Sequence, residues 1–209
     1  MNLPNALTLL RIFFVPLLVA ALVQKDLSIH WNGTVWVTND LFALTIFMAA
    51  AATDFLDGYL ARKWGQITTV GTLLDPIADK LLISAALIAL VEVHRIPAWI
   101  VVLLVGREFA VSGLRSIAAA EGYTISASDL GKTKMVSQVA GVALALLAIR
   151  WPTLNQLATL CIWGAMIFSL ISAFDYFWKF WRKVDDKVKT RRRRELLLLQ
   201  RRENRSPIG

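Results

Sequence analysis

Asp54-Phe-Leu-Asp57-Gly58-Tyr-Leu-Ala61-Arg62 and Gly71-Thr-Leu-Leu-Asp75-Pro-Ile-Ala-Asp79 are two short stretches that place four carboxylates in an otherwise apolar sequence. An ionised Asp at the centre of a lipid-facing helix costs about 3 kcal/mol. Four of them would cost about 12 kcal/mol, as much as the whole stability of a domain. These side chains therefore need a polar, cation-containing site between helices, and we expect that site to be the functional centre.

The composition predicts a membrane protein. The chain has 209 residues, of which 56% are hydrophobic, and a mean hydropathy of +0.56, whereas soluble domains have about 45–50% apolar residues. A helix needs about 20 apolar residues to span a bilayer. Six such segments can be marked: Asn5–Val23, Leu41–Arg62, Thr72–Val91, Ala98–Ala119, Thr133–Ile149 and Leu154–Tyr176. The predicted fold is all-α, with one polytopic six-helix domain over residues 1–178.

The charge distribution predicts how the helices are oriented. Residues 179–209 hold 12 Lys and Arg against 4 Asp and Glu, whereas the rest of the chain is balanced at 11 of each. A basic tail beside a membrane helix marks the cytoplasmic side, so with six spans both termini are expected inside. Connections 62–71 and 120–132 are then cytoplasmic, and 24–40, 92–97 and 150–153 face out. The tail has no nucleic-acid-binding module, so we expect it to attract anionic lipid and no nucleic acid.

Few groups are suited to redox chemistry or soft metals. Cys161 is the single cysteine, so an intrachain disulfide is excluded. His30 and His94 fall in separate short connections, and we interpret them as loop residues and not as metal ligands.

The helix period places the acidic residues on defined faces. Two sets share one face each: Asp54, Asp57, Gly58, Ala61 and Arg62 on the second helix, and Gly71, Asp75 and Asp79 on the third. The short connection between them predicts that these helices are antiparallel neighbours. The four carboxylates are therefore expected to converge at the cytoplasmic mouth of one helix pair.

Clustered carboxylates without His or Cys favour Mg²⁺ or Mn²⁺, which bind substrate phosphates. Two such ions about 4 Å apart could hold a diphosphate, and Arg62 is placed to contact a phosphate. One alternative is a structural network in which the acids pair with Arg62, Lys63 and Lys80. Another is a cation or proton pathway, since intramembrane acids also occur in pumps.

The complete pattern resembles a known family. Asp54-x₂-Asp57-Gly58-x₂-Ala61-Arg62-x₈-Gly71-x₃-Asp75-x₃-Asp79 matches the signature of the CDP-alcohol phosphatidyltransferases at all eight specified positions. The resemblance implies a membrane-embedded, usually dimeric enzyme that exchanges the CMP of a CDP-linked lipid for an alcohol.

The resemblance also implies roles for individual residues. Metal ions, two per subunit, would be held by Asp54, Asp57, Asp75 and Asp79, and Asp79 would also be the general base. Contacts to the CDP moiety fall to Gly58, Arg62 and Thr68. The remaining residues that we expect to line the CDP-lipid site are Asn5, Thr8, Ala61 and Gly71.

The acceptor is predicted from a second set of residues. Four segments are similar to the bacterial members that use glycerol 3-phosphate: Asn2 to Arg11, Gly71 to Lys80, Gly106 to Arg115, and Gly131 to Gln138. Arg107 and Arg115 lie two turns apart on one helix, and Lys132 and Lys134 begin the next. Such cations suit a phosphorylated acceptor.

The predicted reaction therefore converts CDP-diacylglycerol and glycerol 3-phosphate to phosphatidylglycerophosphate and CMP, at the inner membrane of a bacterium. Three alternatives stay open. Arg107 could simply pair with Glu108, and the two lysines could serve as positive-inside flanks. The acceptor could also be that of a phosphatidylinositol-phosphate synthase or a cardiolipin synthase.

Overall fold

Six helices form the protein, as a computed structural model describes it over residues 3–24, 29–31, 34–64, 69–122 and 130–203. They are α1 (Leu3–Val23), α2 (Asn39–Trp64), α3 (Thr69–Glu92), α4 (Ala98–Ala120), α5 (Leu130–Arg150) and α6 (Asn155–Glu203). The prediction of a six-helix, all-α architecture is confirmed. Apart from the far end of α6, every predicted helix end lies within three residues of the observed one.

A small hairpin follows α1 and was not predicted. Strands β1 (Ile29–Trp31) and β2 (Thr34–Val37) pair antiparallel, with a register irregularity between Ile29 and His30. The sequence between the strands is Asn32-Gly33, which is a strong hairpin signal because both residue types tolerate positive φ. The predicted outward connection 24–40 therefore contains local structure.

The last helix continues far beyond its predicted membrane span. α6 contains 49 residues and includes the basic segment as far as Glu203. At 1.5 Å per residue it is about 74 Å long, more than twice the hydrocarbon thickness of a bilayer. The basic tail therefore extends the sixth helix.

α1 lies at the centre of the packing that positions the site. It packs extensively against both α2 and α3, while within the described residues α2 and α3 make few contacts with each other. α2 and α3 also contact each other, as the sequence predicted for neighbouring helices, and α1 packs along both of them. Farther along the chain, α5 packs closely on α6, because Gly141 has no side chain to meet Ile162.

The surface of the bundle is strongly apolar. Large apolar side chains such as Phe13, Val102, Val136 and Leu160 are each more than 60% exposed, a pattern that suits contact with lipid and is rare over wide areas of soluble monomers. Within the described residues, two helical segments are both long and apolar enough to cross a membrane, Asn5–Val23 and Pro152–Asp185. The remaining four predicted spans stay predictions, and α2, α3 and α4 carry the charged residues of the site.

Candidate active site

An arginine that sequence reasoning did not select lies at the centre of the acidic site. Arg11 is the one charged residue in the sequence of α1, and its side chain is completely buried. A charged residue in an apolar span is itself a signal of function or pairing. That signal was present in the sequence and could have identified Arg11.

Arg11 joins the two helices that carry the acidic motif. Its Nη1 lies 2.7 Å from Asp54 Oδ1 on α2 and 2.5 Å from Asp79 Oδ1 on α3. The Asp54 and Asp79 side chains are 25% and 35% exposed, so the pair of carboxylates lies at the wall of a partly open site. One nitrogen thus holds two carboxylate oxygens from different helices.

The Arg11 contacts bear on the alternative that the acidic residues form a structural network of ion pairs. That alternative paired the acids with Arg62, Lys63 and Lys80, whereas the described contacts of Asp54 and Asp79 are to Arg11. A cation on a third helix can neutralise charge at the point where α2 and α3 approach each other. The contact also ties α1 to both of these helices.

A second group, the cationic cluster, adjoins Asp79 and consists of Lys80, Arg107 and Arg115. Lys80 follows Asp79 on α3, and its Nζ donates to Ser112 Oγ of α4 at 2.5 Å. Arg115 is close enough to Lys80 and to Arg107 for its positive charge to repel theirs. The prediction selected Arg107 and Arg115 and missed Lys80, although Lys80 directly follows the last motif aspartate.

The Arg107 side chain contacts two other residues of the protein. Its Nη1 lies 2.8 Å from Glu108 Oε1, and its Nε donates to the Ser169 carbonyl of α6 at 2.9 Å. The alternative pairing of Arg107 with Glu108 is thus present in the structure. The contact with Ser169 fixes the guanidinium between α4 and α6, so Arg107 helps to build the wall of the cationic cluster.

Two buried hydroxyl groups lie on α6 beside these arginines, and the sequence analysis missed both. The guanidinium carbon of Arg115 lies 5.9 Å from the ring centroid of Tyr176, a cation–π distance. Tyr176 Oη and Ser169 Oγ are buried, and neither has a hydrogen-bond partner among the residues that the structure describes. Buried hydroxyls usually find a partner, so these two groups mark a place where a polar ligand can bind.

The other predicted residues fall into two groups. On α1 and α3, Thr8 and Gly71 are buried and Asn5 is half-buried, and all three take part in polar or electrostatic contacts. The remaining ones lie on described helix backbone, but nothing is described of their side chains: Asp57, Gly58, Ala61, Arg62, Asp75, Lys132 and Lys134. Thr68 lies outside the described residues.

Taken together, a bundle of apolar helices that joins paired carboxylates to a cationic cluster defines a membrane enzyme acting on charged, phosphate-bearing substrates. The model of the family described as CDP-alcohol phosphatidyltransferase matches residues 1–171. The chain therefore belongs to the CDP-alcohol phosphatidyltransferase family, as the motif predicted, and is a membrane protein.

Curated relatives cover most of the chain. A protein of Bacillus subtilis named CDP-diacylglycerol–glycerol-3-phosphate 3-phosphatidyltransferase is 38% identical, over 86% of this chain and 95% of its own length. A protein of the same name from Rickettsia bellii is 35% identical, over 84% and 93%. A probable phosphatidylglycerophosphate synthase of Mycobacterium tuberculosis is 37% identical, over 84% and 79%.

Enzymes of this family use a divalent metal. The described side chains of the site can be compared with the ligands that such a metal takes. Asp54 and Asp79 each direct one carboxylate oxygen to Arg11 Nη1, and carboxylate oxygen is the donor type that hard divalent cations prefer. Among the described side chains no group of three potential ligands occurs. Asp54 and Asp79 are of the ligand type that such a metal takes, and the set of four metal-binding aspartates stays a prediction.

Proposed function

We propose that this protein transfers the phosphatidyl group of CDP-diacylglycerol to the primary hydroxyl of glycerol 3-phosphate, with release of CMP. The observation that carries the proposal is the junction of the Arg11–Asp54–Asp79 cluster with the cationic cluster through the neighbouring residues Asp79 and Lys80. Curated relatives at 33–38% identity carry the name of this activity. A carboxylate centre beside a phosphate-binding surface is what the reaction needs.

The donor side of the site is assigned to the acidic motif. Asp54, Asp57, Asp75 and Asp79 would hold Mg²⁺ or Mn²⁺, two ions per subunit, and the metal would neutralise charge on the diphosphate of the CDP-lipid. Gly58, Ala61, Arg62, Thr68, Gly71, Asn5 and Thr8 are the proposed CDP-lipid contacts. Buried Thr8 supports this assignment, because it lies one turn before Arg11 on α1 and places a hydroxyl on the same helix as the Arg11 cluster.

Asp79 is the proposed general base. It is the more exposed of the two described carboxylates, and it directly precedes Lys80 of the cationic cluster. A hydroxyl held between them would lose its proton to Asp79 as its oxygen bonds to the β-phosphorus and the bond from that phosphorus to CMP breaks. Arg11 keeps Asp79 oriented throughout, because its buried guanidinium cannot move without leaving two carboxylates unpaired.

The cationic cluster is the proposed binding site for the phosphate of the acceptor. A guanidinium can donate two parallel hydrogen bonds to a phosphate, and Arg115 is exposed enough to do so. Glycerol 3-phosphate also offers a secondary hydroxyl, which could partner the buried hydroxyls of Ser169 and Tyr176. Lys132 and Lys134 complete the proposed acceptor site from the start of α5.

We also propose the membrane arrangement that the sequence predicts. Six spans would place both termini and the acidic site on the cytoplasmic side of a bacterial inner membrane, in a homodimer. The basic part of α6 supports this orientation, because positive residues beside a span are retained inside and attract anionic lipid.

The proposal is tested by an acceptor panel. Purified full-length protein with Mg²⁺ and labelled CDP-diacylglycerol should release CMP with glycerol 3-phosphate and form phosphatidylglycerophosphate. Inositol phosphate and phosphatidylglycerol should give no more CMP than water does. Release with one of those acceptors instead would keep the family reaction and refute the acceptor, and no release with any acceptor would refute the activity.

A further inference from the structure

A cavity at the opposite end of the bundle is not used by the reaction. It has a volume of about 570 Å³ and lies between the end of α3, the start of α4, the end of α5 and the start of α6. Val91 on its wall follows Asp79 by twelve residues of α3, which is about 18 Å along the helix axis. In the predicted topology this end faces outward, so the cavity is separate from the acidic site.

The interior of the cavity is apolar and its walls are built from small side chains. Ala145, Ala148 and Ala158 leave space between α5 and α6, while Ile100 and Ile162 line the wall. A volume of this size is in the range of pockets that hold organic ligands. An alkyl chain fits such a lining, and a small anion alone gains nothing from it.

The mouth of the cavity is polar and carries a positive charge. Arg95 is exposed, and its Nη1 lies 3.4 Å from Asn155 Oδ1, a long contact that occupies one of five guanidinium donors. Among the described residues no carboxylate lies within 4.0 Å of this guanidinium. The charge of Arg95 is therefore available to an anionic group at the mouth.

The cavity is continuous with a surface suited to lipid. Trp163 lines the cavity and meets Trp99 edge to face, with ring centroids 5.4 Å apart. Both rings are more than 40% exposed, and Val102 and Leu160 beside them are 69% exposed. Aromatic rings of this kind concentrate at the membrane interface, so a lipid chain could enter the cavity from the bilayer.

We propose that this cavity binds a phospholipid with a net negative headgroup, with an acyl chain between α5 and α6 and the phosphate on Arg95. The apolar interior and the cation at its mouth match the two ends of that one molecule. The site is distinct from the CDP-lipid site, so its occupancy does not depend on the proposed reaction.

Native mass spectrometry of the full-length protein in detergent tests the proposal, with phosphatidylglycerol and phosphatidylcholine of equal chain length as probes. Wild-type protein should bind phosphatidylglycerol more tightly. Arg95→Gln should weaken that binding about ten-fold, because it removes a charge-assisted contact. The matched control Arg150→Gln removes an exposed arginine that does not line the cavity, and it should bind like wild type.

A second variant tests the cavity itself. Thr159 lines it and is exposed, so Thr159→Phe can fill the space from its open side and should weaken binding of both lipids. CMP release should be unchanged in all three variants. Equal binding by Arg95→Gln and Arg150→Gln, or unchanged binding by Thr159→Phe, would overturn the proposal. So would conversion of a wild-type dimer to monomer by Thr159→Phe, since a second copy would then occupy the cavity.

Discussion

The two ends of the bundle use arginine in opposite ways. Arg11 is fully buried and held by two carboxylates from different helices, whereas Arg95 is exposed and meets one amide oxygen at the mouth of an apolar cavity. The buried charge is tolerable because both counter-charges are within 2.7 Å. The acidic end is therefore organised in advance for charged substrates, while the other end has a single positive charge at the mouth of a cavity suited to hydrocarbon.

Removal of the proposed base should have the largest effect. Asp79→Asn keeps the shape of the side chain but cannot accept the proton, so turnover should fall about a thousand-fold. Folding should persist because Asp54 remains 2.7 Å from Arg11 as its counter-charge. CMP release would be measured beside Asp175→Asn, which alters an ion pair on α6. Activity of Asp79→Asn within ten-fold of this control would contradict the role of Asp79.

Loss of the buried arginine should mainly affect stability. Arg11→Met leaves Asp54 and Asp79 facing each other without their shared cation, which should cost about 3 kcal/mol, at the low end for buried pairs because both acids are partly exposed. The thermal midpoint should drop by about 10 °C, and Mg²⁺ should restore part of it by replacing the lost charge. Arg150→Met is the control, and an equal drop there would refute the special role of Arg11.

A change in the cationic cluster should be smaller and specific to one substrate. Arg115→Gln removes a charged donor, so the KM for glycerol 3-phosphate should rise about ten-fold with little change in the KM for CDP-diacylglycerol. Steady-state kinetics separates the two. Equal increases in both constants would show that Arg115 supports the fold or the donor site and does not bind the acceptor phosphate.

The smallest effect is expected at the end of α3. His94 has a φ of 58°, a left-handed conformation that glycine adopts without strain. His94→Gly should therefore raise stability by about 1 kcal/mol and leave CMP release unchanged. Gly122→Ala is the reverse experiment, because Gly122 follows α4 and has a φ of 77°. This variant should lose about 1 kcal/mol of stability. Thermal unfolding of the two variants in opposite directions would confirm the prediction.

The sequence predicted the six helices because each is a long apolar segment, and it predicted the acidic motif because four carboxylates are costly in such segments. It did not predict that α1 would pack along both α2 and α3, since apolar helices of similar composition give no signal for their neighbours. Arg11 was missed for a different reason: its partners lie 43 and 68 residues away along the chain, and sequence spacing gives no signal for pairs so far apart. Ser169 and Tyr176 were missed because their hydroxyls are buried by the packing of the helices, which the sequence pattern does not reveal.

We expect divalent cations to bind at the end of the bundle that holds Asp54 and Asp79. Electron paramagnetic resonance of Mn²⁺, titrated with the full-length protein in detergent, measures this without reference to turnover. Asp79→Asn should bind Mn²⁺ at least ten-fold more weakly than wild type. Glu92→Gln changes an exposed acid at the opposite end of α3 and should bind Mn²⁺ normally. Equal Mn²⁺ binding by wild type and Asp79→Asn, or an equal loss in Glu92→Gln, would contradict this expectation.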